Sequence, residues 1–304
     1  MQDLIKDLSK VERLSNGTKF ERLLSKPFKY ILATTYLKLL YPLTKKGIIR
    51  KTKTFFNKEM YVVLPAGADI YLIGGKSHDS EIRLAKFIIM NLGQGDTFID
   101  VGAHFGYFTL LASKIVSKNG KVAAFEASKN TFSILKKNTD NIENIKRINK
   151  AISNINENLT FFEFPVLYSE YNSFDIEQFK KEKWITKFQP AEMTIKAITL
   201  DSYITSEKLR PKIIKIDVEG AEFKVLQGLR NFLITDNDCC IVVEYLNPTR
   251  HNTEHRSAKS FIENLGYSSY IIDKQGSLSS ITDIDEYLVK NNLESENVVF
   301  KIRR

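Results

Sequence analysis

Asp100, Gly102, Gly106 and Glu126 are spaced as parts of a site for a nucleoside that carries positive charge. Residues 97–111 read Thr-Phe-Ile-Asp-Val-Gly-Ala-His-Phe-Gly-Tyr-Phe-Thr-Leu-Leu. A β-branched and aromatic run ends in an acid and two glycines, then gives way to apolar residues at helical spacing, which predicts a strand, a tight turn and a helix start. At either glycine a Cβ would block a left-handed backbone or the close approach of a ligand. A dinucleotide site would need Gly-x-Gly-x-x-Gly beneath a pyrophosphate. Here the spacing is Gly102-x-x-x-Gly106, preceded by Asp100. A carboxylate at that point repels a pyrophosphate and suits a cofactor with an ammonium and a sulfonium, such as S-adenosylmethionine. The next strand, Lys121 to Glu126, ends in an acid able to accept hydrogen bonds from both ribose hydroxyls.

Displacement at a sulfonium methyl is an in-line reaction, so most of its catalysis comes from holding an acceptor atom about 3 Å from that carbon. A hydroxyl acceptor also needs a base, worth roughly a hundredfold to ten-thousandfold. Asp217 and Glu219, at the carboxyl end of a strand over 212–217, are the leading candidates. Asp217 comes first, as base or cofactor-positioning group, and His104 in the glycine loop is third. Acids such as Glu219 and Glu222 also favour a helix N-terminus through its dipole. Asp217, Glu219, Glu222 and Glu244 are alternatively suited to a magnesium ion. No Cys/His spacing of the zinc type occurs, so no structural metal is expected.

Three strings resemble the FkbM family of S-adenosylmethionine-dependent methyltransferases, over roughly residues 78 to 302. They are Phe98 to Gly106, Phe125-Glu-Ala-Ser128, and Ile214-Lys-Ile-Asp-Val-Glu-Gly-Ala-Glu222 with Val225-Leu-Gln-Gly228 behind it. Two departures are His104, where the family usually has Asn, and Ala127-Ser128 in place of a proline. The resemblance implies a class I methyltransferase Rossmann-like fold and methylation of a hydroxyl on a glycan, glycolipid precursor or related metabolite. It implies cofactor contacts at Asp100, Gly102, Ala103, Gly106, Glu126, Ala127, Ala151 and Asp217. Two alternatives stay open: a nitrogen acceptor, and a non-catalytic module that binds the cofactor or a membrane. Methylation of nucleobase amines usually goes with Asn/Asp-Pro-Pro-aromatic after this strand, and Asp217-Val-Glu-Gly disfavours it. No nucleic-acid recognition motif accompanies the basic charge, so no nucleic-acid partner is expected.

These groups need an α/β scaffold, and 304 residues with 43% hydrophobic content can bury one enlarged domain. Strands are predicted at 97–101, 121–126, 145–152, 212–217, 239–244, 267–272 and 296–302, with helices at 107–116, 129–139, 221–231 and 254–265. Seven strands in that alternation predict a doubly wound, mostly parallel sheet. A helix to about Leu92, capped by Ser77, Asp79 or Ser80, precedes it, and Met60 to Ile73 reads as short strands broken at Pro65-Ala-Gly67. Residues 153–206 form an insertion too long for an ordinary α/β loop and read as a hairpin with a mixed-charge capping helix containing Trp184. Its segment Tyr168-Ser-Glu-Tyr-Asn-Ser173 mixes aromatic faces with hydroxyl, amide and carboxylate groups. Tyr168, Glu170, Tyr171 and Asn172, with His78 upstream, are therefore candidate acceptor contacts.

The net charge of +9 resides in residues 1–60, a basic helical extension with 14 Lys and Arg against 5 acids. Residues 61–304, the catalytic domain, hold 31 of each sign. A neutral body with a basic appendage points to an anionic surface as partner, not to a basic active site. Tyr30 to Leu43 is too short and too interrupted to span a bilayer. Phe28, Ile31, Leu32, Tyr36, Leu39, Leu40 and Leu43 nonetheless recur at helical spacing between lysines. That stripe suits either a membrane interface or packing on the domain. The first residues lack the pattern of a secretory signal, and Cys239-Cys240 reads as a reduced pair on opposite faces of a strand. A cytoplasmic location is expected, with peripheral contact at the inner membrane face if the stripe is interfacial.

Overall fold

A computed structural model describes residues 1–174, 176, 184–235, 238–250 and 252–302. Its strands are β1 (Ile48–Lys53), β2 (Glu59–Leu64), β3 (Thr97–Val101), β4 (Lys121–Phe125), β5 (Ile145–Ile148), β6 (Ala151–Ile152), β7 (Asn158–Glu163), β8 (Ala191–Ile198), β9 (Pro211–Ile216), β10 (Cys240–Leu246), β11 (Tyr267–Ile272), β12 (Leu278–Ser280) and β13 (Ser295–Ile302). The main sheet runs β12-β11-β13-β10-β9-β3-β4-β5. The five strands from β5 to β10 are mutually parallel, and β13 enters antiparallel between β10 and β11. Each of the seven predicted strands contributes to this sheet, that over 145–152 through Ile145–Ile148 alone, and β12 adds a short eighth at the edge.

Strand periodicity explains why helices cover both faces. Phe98, Val122, Ile213, Val242 and Val299 belong to one apolar cluster, and their chain neighbours Ile99, Ala123, Ile214, Ile241 and Val298 belong to the other. A strand buried on both sides reads as an unbroken apolar run, as Phe98-Ile99 and Ile213-Ile214 do. Cys239 and Cys240 follow the same rule: both are buried free thiols, one in each cluster.

Several local expectations differ from what forms. The strand predicted over 145–152 is two: Asn149 Nδ2 donates to the carbonyls of Glu126 and Ala127, and β6 leaves the main sheet to pair with β8. The helix predicted over 221–231 divides into Glu222–Gln227 and Arg230–Thr235. Gly228 sits at the break, where a Cβ would meet the Ser153 carbonyl oxygen at 2.1 Å. Ala68–Ile73 is a helix, not a strand. The N-cap of helix Asp79–Asn91 is His78, not one of its polar neighbours.

The insertion forms the expected hairpin, with β7 antiparallel to β8. Its predicted capping helix falls largely on residues 175 and 177–183, outside the described residues. Residues 1–60 are not wholly helical, because β1 pairs with β2 across the expected boundary at residue 60. Leu8, Val11, Ala33, Tyr36 and Tyr41 join the same core as Phe87 and Leu110. Lys86 fastens this segment, bonding both carboxylate oxygens of Glu12 at 2.8–2.9 Å and the Lys274 carbonyl at 2.7 Å. Among the described residues no helix is long and apolar enough to cross a membrane.

Candidate active site

The order of the main sheet reverses between β3 and β9, and ligands in open α/β sheets bind at the carboxyl ends of strands flanking such a reversal. A cavity of about 610 Å³ opens there, within the roughly 300–1,000 Å³ usual for small-molecule sites. Gly102 follows β3 and Asp217 follows β9, close enough that the Asp217 amide donates to the Val101 carbonyl at 3.1 Å. Gly102 has φ +78°, and a Cβ on it would lie 1.8 Å from the Asp217 carbonyl oxygen. Glycine is therefore required at this turn.

Of the expected cofactor contacts, Gly102, Glu126, Ala127, Ala151 and Asp217 line the cavity. Asp100, Ala103 and Gly106 do not. The Asp100 carboxylate is buried beneath the floor, where Thr109 Oγ1 donates to it at 2.6 Å and Lys215 Nζ stands 3.6 Å away. Lys215 Nζ also donates to Asp217 at 3.0 Å, so Asp100 is linked to the cavity lining through Lys215. Burial raises the Asp100 pKa, while Lys215 and the Thr109 hydrogen bond pull it down. Thr109→Val keeps the shape and leaves a buried carboxylate oxygen unpaired, so chemical denaturation should register a loss of about 2 kcal/mol. Ala103 packs against Ala124 and Leu135, and Gly106 is the N-cap of helix Tyr107–Val116.

Glu126 accepts the His104 amide at 2.8 Å and the Ser128 amide at 2.9 Å, one on each carboxylate oxygen. These bonds fix the carboxylate and leave lone pairs for two further donors. Burial raises its pKa to about 7, against the pull of the two amides and with Asp100 and Glu163 adding repulsion. His104 holds φ +50°, its Nε2 lies 3.1 Å from Ser169 Oγ, and burial lowers its pKa to about 4, so the ring is neutral at pH 7.

Asp217, Glu219 and Glu244 each bring a carboxylate oxygen within 4.8 Å of the others. Burial first, then mutual repulsion, raises Glu219 well above the carboxylate range and Glu244 to about 8. The buried trio thus resists carrying a full set of negative charges, and the Lys215 ammonium stands 3.0 Å from Asp217. Glu222 stands apart from this trio. It accepts the amides of Val218 and Gly220 at 3.0 and 2.9 Å and meets His255 at 3.2 Å, which holds the loop that carries Glu219.

The insertion supplies the cavity's outer wall. Glu170, Tyr171 and Asn172 line it, as does His78. Tyr168 does not, because its ring lies flat on Trp184 (centroids 4.1 Å, 9° between planes) and packs behind the wall. Trp184 also stacks on Tyr171 at 5.4 Å, bracing the ring that does face the cavity. Lys76 ties the insertion to helix Asp79–Asn91, bonding Glu170 at 2.9 Å and Glu81 at 3.0 Å. Lys76, Lys215 and Arg250 were missed from sequence, although Lys215 carried a signal: a lone charge inside an apolar strand demands a buried partner.

A family model described as the Methyltransferase FkbM domain matches residues 100–269, more than half of the chain. "Hexuronic acid methyltransferase AglP" of Haloferax volcanii is 26% identical over 159 residues, covering 52% of this chain and 59% of the relative. The chain thus spans about six-tenths of that relative's length. "Methyltransferase 1" of Beauveria bassiana is 25% identical over 188 residues, covering 57% of this chain and 73% of the relative. Among solved structures, "Methyltransferase FkbM" from Methylobacillus flagellatus aligns with a TM-score of 0.42 at 13% identity, covering 67% of this chain and 43% of that one.

Proposed function

The chain belongs to the FkbM family of methyltransferases, and from that premise we propose that it uses S-adenosylmethionine to methylate a hydroxyl of a glycan, glycolipid precursor or related sugar-bearing metabolite. The observation that carries the reading is the pairing of Gly102 and Glu126 at the ends of adjacent parallel strands on one cavity wall. The glycine lets the end of β3 close against the Asp217 backbone, which shapes the cavity, and the carboxylate offers two acceptor oxygens to a ribose diol. The cofactor, when bound, supplies an electrophilic methyl group.

The chain's own residues do the rest. Asp217, kept beside the Lys215 ammonium, is the base that accepts the hydroxyl proton. Glu219, whose charged form burial disfavours, stands beside it as a second polar contact for the acceptor. Tyr171 offers an aromatic face, and Glu170 and Asn172 offer polar groups, the combination that grips a sugar's apolar and hydroxyl-bearing sides. The hexuronic acid named for the Haloferax volcanii relative supports a sugar acceptor.

The titration of Glu126 gives the cofactor reading a pH signature. A ribose donates to the carboxylate, so the proton competes with the ligand. From a free-site pKa of about 7, affinity should fall about tenfold between about pH 8 and about pH 6. Glu126→Gln should flatten that profile as well as weaken binding, as calorimetry at several pH values would show.

The whole reading is tested by incubating the protein with methyl-labelled S-adenosylmethionine and a glycan and glycolipid extract, then locating the label by mass spectrometry. A methyl ether on a sugar carbon supports it. Label on nitrogen, or no transfer while the cofactor is bound, contradicts it.

A further inference from the structure

We propose that residues 19–46 form a docking face for the surface of an anionic lipid bilayer. Of the fourteen large apolar side chains exposed among the described residues, eight fall between Phe20 and Leu43. Single exposed apolar residues are ordinary, but a cluster of this kind marks an interaction surface. Phe28 is 88% exposed, Leu43 83%, Phe20 and Leu24 65%, and Leu39 62%.

The apolar stripe of this segment divides. Ala33, Tyr36 and Tyr41 turn inward to the core, whereas Phe28, Ile31, Leu39 and Leu43 turn outward and are exposed among the described residues. Packing on the domain therefore accounts for one side of the segment only. Helices Pro27–Thr35 and Tyr41–Thr44, joined by a π-helical turn over Tyr36–Leu40, carry both sides of the stripe.

Charge selects the occupant. Residues 19–46 hold seven Lys and Arg against one acid, Glu21. Glu21 is itself engaged by the Thr18 amide at 2.6 Å in a capping box. Lys38, Lys45 and Lys46 are exposed among the apolar side chains. Apolar groups that enter the acyl boundary, ringed by lysines that meet headgroup phosphates, match an anionic bilayer. A second copy of the chain would bring the same cations against this face and be repelled.

The face adjoins the cavity. Tyr41 Oη accepts the Leu167 amide at 3.0 Å, Lys45 Nζ donates to the Lys187 carbonyl at 3.2 Å, and Arg22 reaches the cavity lining. Docking would thus hold the insertion, with Glu170 and Tyr171, near the headgroups and favour acceptors carried on a lipid. That last step rests on the sugar-acceptor reading above; the docking itself does not.

The test is flotation of the full chain with vesicles of phosphatidylcholine alone or mixed with phosphatidylglycerol. The proposal expects flotation with the mixed vesicles only, reduced at high salt. Phe28→Ser with Leu43→Ser, both on exposed positions, should cut the bound fraction at least tenfold, and each of Lys38→Glu and Lys46→Glu about fivefold or more. Melting temperature and cofactor binding should stay at the parent's values. Flotation absent from mixed vesicles, or unchanged in the variants, overturns the proposal, as does a parent dimer in light scattering that Phe28→Ser with Leu43→Ser disperses. If vesicles bind but no sugar is methylated, the docking stands and the acceptor reading fails.

Discussion

Gly102→Ala should abolish cofactor binding and lower the chain's stability by about 3 kcal/mol or more, the largest loss expected at any single position of the site. Two costs add. A non-glycine residue at φ +78° costs about 1–2 kcal/mol. The new Cβ would also lie 1.8 Å from the Asp217 carbonyl oxygen, which is backbone and cannot swing aside. Relief requires the ends of β3 and β9 to part, which moves Asp217 and loosens the Lys215 contacts beneath it. Gly106→Ala is the control. Its φ of +89° carries a similar backbone cost, but its Cβ would meet only the Leu135 Cδ1 at 2.6 Å, the tip of a flexible side chain outside the cavity. Calorimetry with S-adenosylmethionine and a thermal melt on both variants should give no binding for the first and near-parent affinity for the second. Parent-like affinity in Gly102→Ala would remove the close approach on which the site depends.

Asp217→Asn should lower kcat by roughly a hundredfold to ten-thousandfold while changing cofactor affinity less than tenfold. Asn keeps the volume and one acceptor for Lys215 but cannot take a proton. Lys215 retains Asp100 at 3.6 Å, so the floor of the site survives. Glu219→Gln separates the two carboxylates. Burial and the neighbouring carboxylates raise the Glu219 pKa and so disfavour its charged form, so replacing its acid by an amide should cost less than tenfold. The reverse ranking, or a kcat for Asp217→Asn within tenfold of the parent, would transfer the base to another group.

Much of this arrangement is legible in the sequence because its chief signals are local. The acid and glycines after β3, the acid after β4 and the Asp-Val-Glu-Gly turn after β9 each follow a strand whose apolar run announces it. What sequence hides is pairing between distant strands. Asp100 reads as a ligand-facing acid until β3 lies beside β9 in register, which sets Asp100 opposite Lys215 and makes it a buried counter-ion. Tyr168 and Tyr171 look equivalent three residues apart, yet one stacks on Trp184 behind the wall and the other forms the wall. Asn149 looks like part of a strand, and only its bonds to the Glu126 and Ala127 carbonyls end β5 there. Ala68–Ile73 is a helix because a short apolar segment carries no period of its own, and packing under the N-terminal segment decides it.

The central claim, that Gly102 and Glu126 hold a nucleoside cofactor between β3 and β4, is tested most directly by titrating S-adenosylmethionine into the parent chain and into Glu126→Gln at about pH 8, above the Glu126 pKa of about 7. The account predicts one site per chain in the parent and an affinity at least tenfold weaker in the variant, because a charged acceptor of two hydroxyls has become a neutral amide. Equal affinity in the two proteins, or no binding to the parent, would contradict it.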